Sequence, residues 1–158
     1  MYNESKNSYF ALNETNMYDP SDIFVNKEVE ISKIISAEDI DTFIQLSGDN
    51  NPIHHDEDFS KKTMFKGRIA HGLLAIGLIS SGLTRLMGPG NVWLSHNFEF
   101  LKPIRINDQI TAILKIIEIK KNKTCVIETI VTNQKNELVV KGTATSRIFP
   151  ISEKNANK

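Results

Sequence analysis

Residues 70–90 decide the fold: Ala70-His71-Gly72-Leu73-Leu74-Ala75-Ile76-Gly77-Leu78-Ile79-Ser80-Ser81-Gly82-Leu83-Thr84-Arg85-Leu86-Met87-Gly88-Pro89-Gly90. From about Ala70 to Met87, Leu73, Leu74, Ile76, Leu78, Ile79 and Leu83 make a helix apolar nearly all round, closed by Gly88-Pro89-Gly90. The apolar run Gly72 to Thr84 is shorter than the ~20 residues of a membrane span and contains Gly and Ser. A helix of this kind in a water-soluble chain must be wrapped. The residues that follow supply the wrapping: strand-like runs near Val92–Leu101, Gln109–Lys120, Thr124–Asn133 and Glu137–Phe149. Asn107-Asp108, Lys121-Asn122-Lys123 and Gln134-Lys135-Asn136 separate them. Consecutive strands joined by tight turns predict an antiparallel sheet.

Upstream, Phe24 to Ile35 alternates loosely through Val29 and Ile31 and reads as a first strand. Ser36-Ala37-Glu38-Asp39 has the form of a helix start with Ser36 as N-cap; Ile40, Phe43 and Ile44 continue it, and Gly48 ends it. The order predicts an α+β domain, a curved antiparallel β-sheet around one long central apolar helix. Residues 1–22 lack periodicity, end in Asp19-Pro20-Ser21-Asp22 and read as a flexible N-terminal arm. Residues 23–150 form the domain and 151–158 a flexible tail.

A chain of 158 residues suits one such domain. Its 19 basic and 19 acidic residues cancel, which disfavours nucleic acid or an anionic membrane as partner. Met1 to Tyr18 has neither the basic start nor the apolar run of an export signal, and the single cysteine, Cys125, suits a reducing compartment. A cytoplasmic protein is expected. Cys125 alternates with Ile127, Thr129 and Val131 and reads as a small core residue.

The polar stretch between the helices carries the chemistry. Gly48-Asp49-Asn50-Asn51-Pro52-Ile53-His54 is followed by Ile69-Ala70-His71-Gly72 at the start of the apolar helix. A carboxylate and an imidazole five residues apart, across a stiffening Pro52, can converge on one water molecule when the loop folds back. The start of a buried helix offers unpartnered N–H groups at the positive end of its dipole, and Gly72 lets an oxyanion approach its own N–H. Spacing alone leaves the plainer reading open: Asp-Asn-Asn-Pro is a good turn sequence, Asp49 a local cap and His54 a surface histidine. His54, His55, Asp56, His71 and His96 suggest a metal cluster only superficially. Adjacent histidines in an extended segment point apart, and no ligand spacing appears, so no metal is expected.

Asp-x-Asn-Pro-x-His followed by Ala-His-Gly at the head of an apolar helix resembles the MaoC-like family of (R)-specific enoyl-CoA hydratases, the hydratase 2 group. The resemblance extends over Ser36–Ser47 with Gly48-Asp49, Phe65 before Ile69-Ala70-His71-Gly72, the Gly88-Pro89-Gly90 turn, and Phe98-Glu99-Phe100-Leu101-Lys102-Pro103-Ile104 leading to Asn107-Asp108. It implies a hot-dog fold, protomers paired edge to edge as a homodimer or higher homo-oligomer, and an acyl tunnel near the interface. It further implies reversible addition of water to a trans-2-enoyl-CoA, giving an (R)-3-hydroxyacyl-CoA, with no cofactor beyond the coenzyme A of the substrate. Asp49 and His54 would hold the water, Asn51 would keep the loop in register, Gly72 N–H would receive the thioester oxygen, and His71 would shape the site.

Lys61, Lys62, Lys66 and Arg68 would then lie where coenzyme A phosphates could meet them, or form a solvated basic loop. Trp93 and Phe98 read as core residues before tunnel residues. The alternatives are a dehydratase acting on acyl carrier protein or on branched or dicarboxylic acyl-CoA, a hot-dog acyl-CoA thioesterase, and a non-catalytic acyl-CoA-binding subunit.

Overall fold

The computed structural model describes residues 22–149. The expected arm and C-terminal tail lie almost wholly outside them. The chain runs through β1 (Glu28–Ile34), α1 (Ala37–Ser47), α2 (Pro52–His55), α3 (Glu57–Lys62), α4 (Leu73–Met87), β2 (Asn91–Phe100), β3 (Gln109–Ile119), β4 (Cys125–Asn133) and β5 (Leu138–Ile148).

Local chemistry sets the first elements. Ser36 and Asp39 form a reciprocal cap on α1: Asp39 N–H donates to Ser36 Oγ at 3.1 Å, and Ser36 N–H to Asp39 Oδ2 at 2.9 Å. Burial works to raise the Asp39 pKa, but the Ser36 N–H, Lys33 and the Ser36 hydroxyl together outweigh it and hold the carboxyl below its ordinary value. Gly48 ends the helix at φ 75°, its N–H donating to Ile44 O at 2.8 Å.

The strands form one antiparallel sheet in the order β1-β3-β4-β5-β2. Asn107, Lys123 and Asn136, all at positive φ, sit in the expected turns. One expectation needs correcting. β2 and β3 do not form a hairpin; β2 crosses to the opposite edge and pairs with β5. The intervening connection, with Pro103 in it, is tied down along its path. Ala70 N–H donates to Ile104 O at 2.8 Å, Asn107 N–H to Ile35 O at 2.7 Å and Ile35 N–H to Asp108 O at 2.9 Å. The crossing therefore passes over the head of α4.

Helix α4 touches β1, β2, β3 and β5 and buries Ala75, Ile76, Leu78, Ile79, Gly82, Leu83, Leu86 and Met87. The inner face of the sheet meets it with Ile110, Ala112, Leu114, Ile116, Ile127 and Val131. The helix is less uniformly buried than its sequence suggests: Leu73, Gly77, Ser80, Ser81, Thr84 and Arg85 remain exposed along one side. Cys125 is a buried free thiol whose pKa burial pushes up, in keeping with a packing role. Among the described residues no helix is long and apolar enough to cross a membrane.

The glycines of α4 differ in what surrounds them. A methyl group on Gly82 would stand 2.6 Å from Cδ1 of the fully buried Leu114, whereas one on Gly77 would meet nothing within 4 Å. Gly82→Ala is expected to destabilise the domain by about 1–3 kcal/mol through overpacking. Gly77→Ala should gain up to ~1 kcal/mol from helix propensity. Urea titrations of both variants beside wild type measure the contrast.

Candidate active site

Helix α1 delivers Asp49 directly after its C-terminal turn. The Asp49 carboxylate accepts the Asn51 N–H at 3.3 Å, and Asn51 Oδ1 accepts the Ile53 N–H at 3.3 Å as the N-cap of α2. Pro52 fills the first helical position, where a missing N–H costs nothing. The stretch expected as a loop therefore contains α2 and α3, which places the two adjacent histidines on a helical turn and not in an extended segment. His54 points inward, 7% exposed, while His55 stays exposed with Nε2 against Asn50 O at 2.8 Å.

His54 Nδ1 lies 2.8 Å from the carbonyl of Ile69. A carbonyl only accepts, so Nδ1 carries the proton and Nε2 keeps the lone pair. Two further bonds lock this pairing. Arg68 Nε–H donates to His54 O at 2.8 Å and Ile69 N–H to Ile53 O at 3.2 Å. Burial pushes the His54 pKa below its ordinary 6.5; the Ile69 carbonyl opposes this, the charge of His71 adds to it, and Asp49 opposes it. The ring is neutral at pH 7.

His71, 3% exposed, reaches back from the head of α4 to donate its Nε2–H to the backbone carbonyl of Asp49 at 3.0 Å. Its ring stacks on His54 with centroids 3.7 Å apart and packs against Phe43 at 4.6 Å. The Asp49 carboxylate, 53% exposed, stands 3.8 Å from the same Nε2, so the direct contact is to its main chain. His71 Nδ1 is buried without a partner among the described residues.

Asp49, His54 and His71 thus present ligand-type atoms within 4.8 Å of one another. One nitrogen of each ring is committed to a main-chain carbonyl, which leaves one free nitrogen per ring. His55, Asp56 and His96 do not join this group. His96 instead lies on β2, Nε2 against the Thr129 hydroxyl at 2.8 Å.

Gly72 follows His71 and forms the N-cap of α4 with helical φ −58° and ψ −27°. Its N–H has no acceptor among the described residues. Two contributors escaped the sequence reading. Arg105, in the crossing connection, donates Nη1–H to Gly67 O at 3.1 Å and Nη2–H to Phe65 O, pinning the segment that leads into Ile69. Phe100 packs on Gly72. Both fall in or beside the Phe98–Ile104 motif, but nothing in spacing says which segment the motif touches. Of the basic residues, Lys61 pairs with Glu57 at 3.6 Å and Arg68 is engaged with α2.

Residues 24–139 match the family described as MaoC like domain. The chain belongs to the MaoC-like family. It is 38% identical over 125 residues to a Rhodospirillum rubrum protein named (R)-specific enoyl-CoA hydratase, spanning 78% of this chain and 87% of that one. It is 31% identical over 125 residues to a mitochondrial 3-hydroxyacyl-[acyl-carrier-protein] dehydratase of Arabidopsis thaliana, spanning 75% and 73%. The solved (R)-hydratase from A. caviae, involved in PHA biosynthesis, superposes with TM-score 0.77 at 29% identity, covering 80% of this chain and 98% of that one. The MaoC-like fold described above is thus the hot dog, as expected from the sequence.

Because the folded His54 resists protonation, its contribution to stability is complete above the unfolded value of about 6.5 and is lost as pH falls below it. Wild type should therefore lose more stability between pH 7.5 and 5.5 than His54→Asn does. Denaturant midpoints at the two pH values decide it.

Proposed function

We propose that this chain is an (R)-specific enoyl-CoA hydratase, adding water reversibly to trans-2-enoyl-CoA to give (R)-3-hydroxyacyl-CoA. The observation that carries the reading is the His54 tautomer: Nδ1–H on the Ile69 carbonyl leaves a basic Nε2 beside Asp49 and against His71, the residue before Gly72, whose helix-start N–H has no acceptor among the described residues.

In the forward direction a water molecule lies between the Asp49 carboxylate and His54 Nε2. His54 takes one proton, the hydroxide oxygen bonds to C3, and the C2=C3 electron pair moves through C2–C1 onto the thioester oxygen. Gly72 N–H, at the positive end of the α4 dipole, receives that oxyanion. The proton held by the dyad passes to C2 as the carbonyl re-forms, so one water is consumed and both groups return to their starting state. Asp49 and His54 share this one water. Asn51 supports the pair by capping the helix that carries His54. His71 supports it through the Asp49 carbonyl.

The (R) configuration and coenzyme A as carrier follow the name of the R. rubrum relative. Acyl carrier protein as carrier is the second reading, favoured by the Arabidopsis relative. Hydration involves no net oxidation or reduction, and Asp49, His54 and Gly72 N–H cover its acid/base and oxyanion roles, so we propose that it needs neither cofactor nor metal. We also propose a homodimer paired through β2, one of the two edge strands of the sheet, where Val92 and Leu94 are about half exposed. A reducing compartment such as the cytoplasm suits its one buried thiol.

Loss of the conjugated enoyl-thioester absorbance with crotonyl-CoA and longer trans-2-enoyl-CoAs tests the reaction. Asp49→Asn and His54→Asn should each lower turnover by at least ~10², the usual size of a general acid/base contribution. Near-wild-type rates in both would remove the dyad, thiol release without hydration would indicate a thioesterase, and chiral analysis reads the product configuration.

Chelation should leave the rate unchanged, and the acid limb of kcat/KM should lie below the ordinary histidine value. A rate that falls with chelator and returns with added metal would assign Asp49, His54 and His71 to a metal instead.

A further inference from the structure

Residue 72 is glycine, yet its backbone does not ask for one. At φ −58° and ψ −27° any L-residue is comfortable, and a helix N-cap ordinarily favours Ser, Thr, Asp or Asn. The reason lies across a gap in the chain. A Cβ at Gly72 would stand 2.4, 2.8 and 2.9 Å from Cε1, Cδ1 and Cζ of Phe100. The Phe100 ring occupies the space a side chain would need.

That ring is held from two directions. Its edge meets Phe98 at a centroid distance of 5.2 Å and an angle of 71°. Its main chain sits at the end of β2 opposite Val140, and Leu101 N–H next to it donates to Val139 O at 2.8 Å. A few residues on, Ile104 O accepts the Ala70 N–H at 2.8 Å, which ties the same connection to the segment entering α4. Both sides of the Gly72–Phe100 contact are therefore fixed by main-chain hydrogen bonds. Despite this, 52% of Phe100 remains exposed, an uncovered aromatic face beside an N–H with no acceptor among the described residues.

We propose that Phe100 is the positioning residue of the thioester-carbonyl site: its ring packs on Gly72, walls the Gly72 N–H from bulk water on one side, and offers an apolar face to the planar C1–C3 segment of the enoyl thioester. The proposal rests on the hydratase reading. A donor partly shielded from water interacts more strongly with a developing oxyanion, and a flat wall restricts the substrate to poses in which that oxygen meets it. Phe100 makes no proton transfer. It acts through Gly72, which must stay bare for the ring to come this close.

Gly72→Ala, Phe100→Ala and the double variant, assayed on crotonyl-CoA with thermal midpoints recorded alongside, form the test. Gly72→Ala should lower kcat/KM by at least ~10-fold, with kcat carrying most of the loss, since the donor acts on transition-state charge. Phe100→Ala should also lower kcat. In the Phe100→Ala background, adding Gly72→Ala should cost less than about 3-fold, because two groups in contact are not additive.

Equal losses from Gly72→Ala in both backgrounds, or no loss in the wild-type background, would overturn the proposal. Failure of Gly72→Ala to fold supports it if Phe100→Ala restores folding, and overturns it if both backgrounds unfold. If wild type does not hydrate crotonyl-CoA, the hydratase reading fails separately. The same coupling is then read from calorimetric binding of butyryl-CoA, where additivity overturns the contact role.

Discussion

An amphipathic helix needs a neighbour on one side; α4, apolar over most of its circumference, needs neighbours on several. A single sheet satisfies that demand only by curving around it, and β1, β2, β3 and β5 all touch the helix. The order β1-β3-β4-β5-β2 follows from the same demand, since β2 leaves the end of α4 and takes the far edge. The chain must then cross back to β3. That crossing is what carries Phe100 and Ile104 to the head of α4, next to the donor at Gly72. The position of the candidate site is in this sense a by-product of burying one helix.

Around that helix head, polar side chains are held by main-chain carbonyls. His54 is anchored on Ile69 O and His71 on Asp49 O. Each such bond fixes a tautomer without adding a charge. Burial works against protonation of His54, and His71, stacked on it at 3.7 Å, acts in the same direction. The buried Nδ1 of His71 has no hydrogen-bond partner among the described residues. Leaving a buried acceptor unpaired costs about 1–3 kcal/mol. That cost is consistent with a ring kept for its place beside Asp49, His54 and Gly72, not for stability.

What the sequence conveys and what it hides divide along local and non-local lines. Ser36, Asp39 and Gly48 act within a turn of one another, so the limits of α1 were readable from their types alone. Strand runs and their turn residues were readable for the same reason. The partner of β2 was not, because hairpin spacing is a local signal and the crossing is set by the circumference of α4. The short helices α2 and α3 were missed because they lack apolar periodicity, although their caps, Asn51 and Asp56, are of the ordinary helix-capping types. Asp49, His54 and Gly72 were readable as a motif. What brings them together, the Ile69 carbonyl, the Asp49 carbonyl and the Phe100 ring, involves main-chain atoms and long-range contacts that no residue pattern encodes.

The choice of a carbonyl as the partner of His54 has a chemical consequence. A carboxylate at Nδ1 would favour the imidazolium and raise its pKa, giving a stronger base that returns its proton reluctantly. A neutral acceptor orients the ring equally well while burial keeps the affinity of Nε2 for a proton low. For a one-way reaction the stronger base has the advantage in the first step. For a reversible hydration the same dyad must take a proton from water and yield it to carbon within one turnover, and take it back from carbon in the reverse direction. A balance of opposing effects that holds the His54 pKa below its ordinary value lets the ring give up the proton it takes. In the proposed mechanism the Ile69 carbonyl and the burial of His54 set that balance, which puts the peptide bond between Ile69 and Ala70 beside the carboxylate of Asp49 in the acid/base machinery.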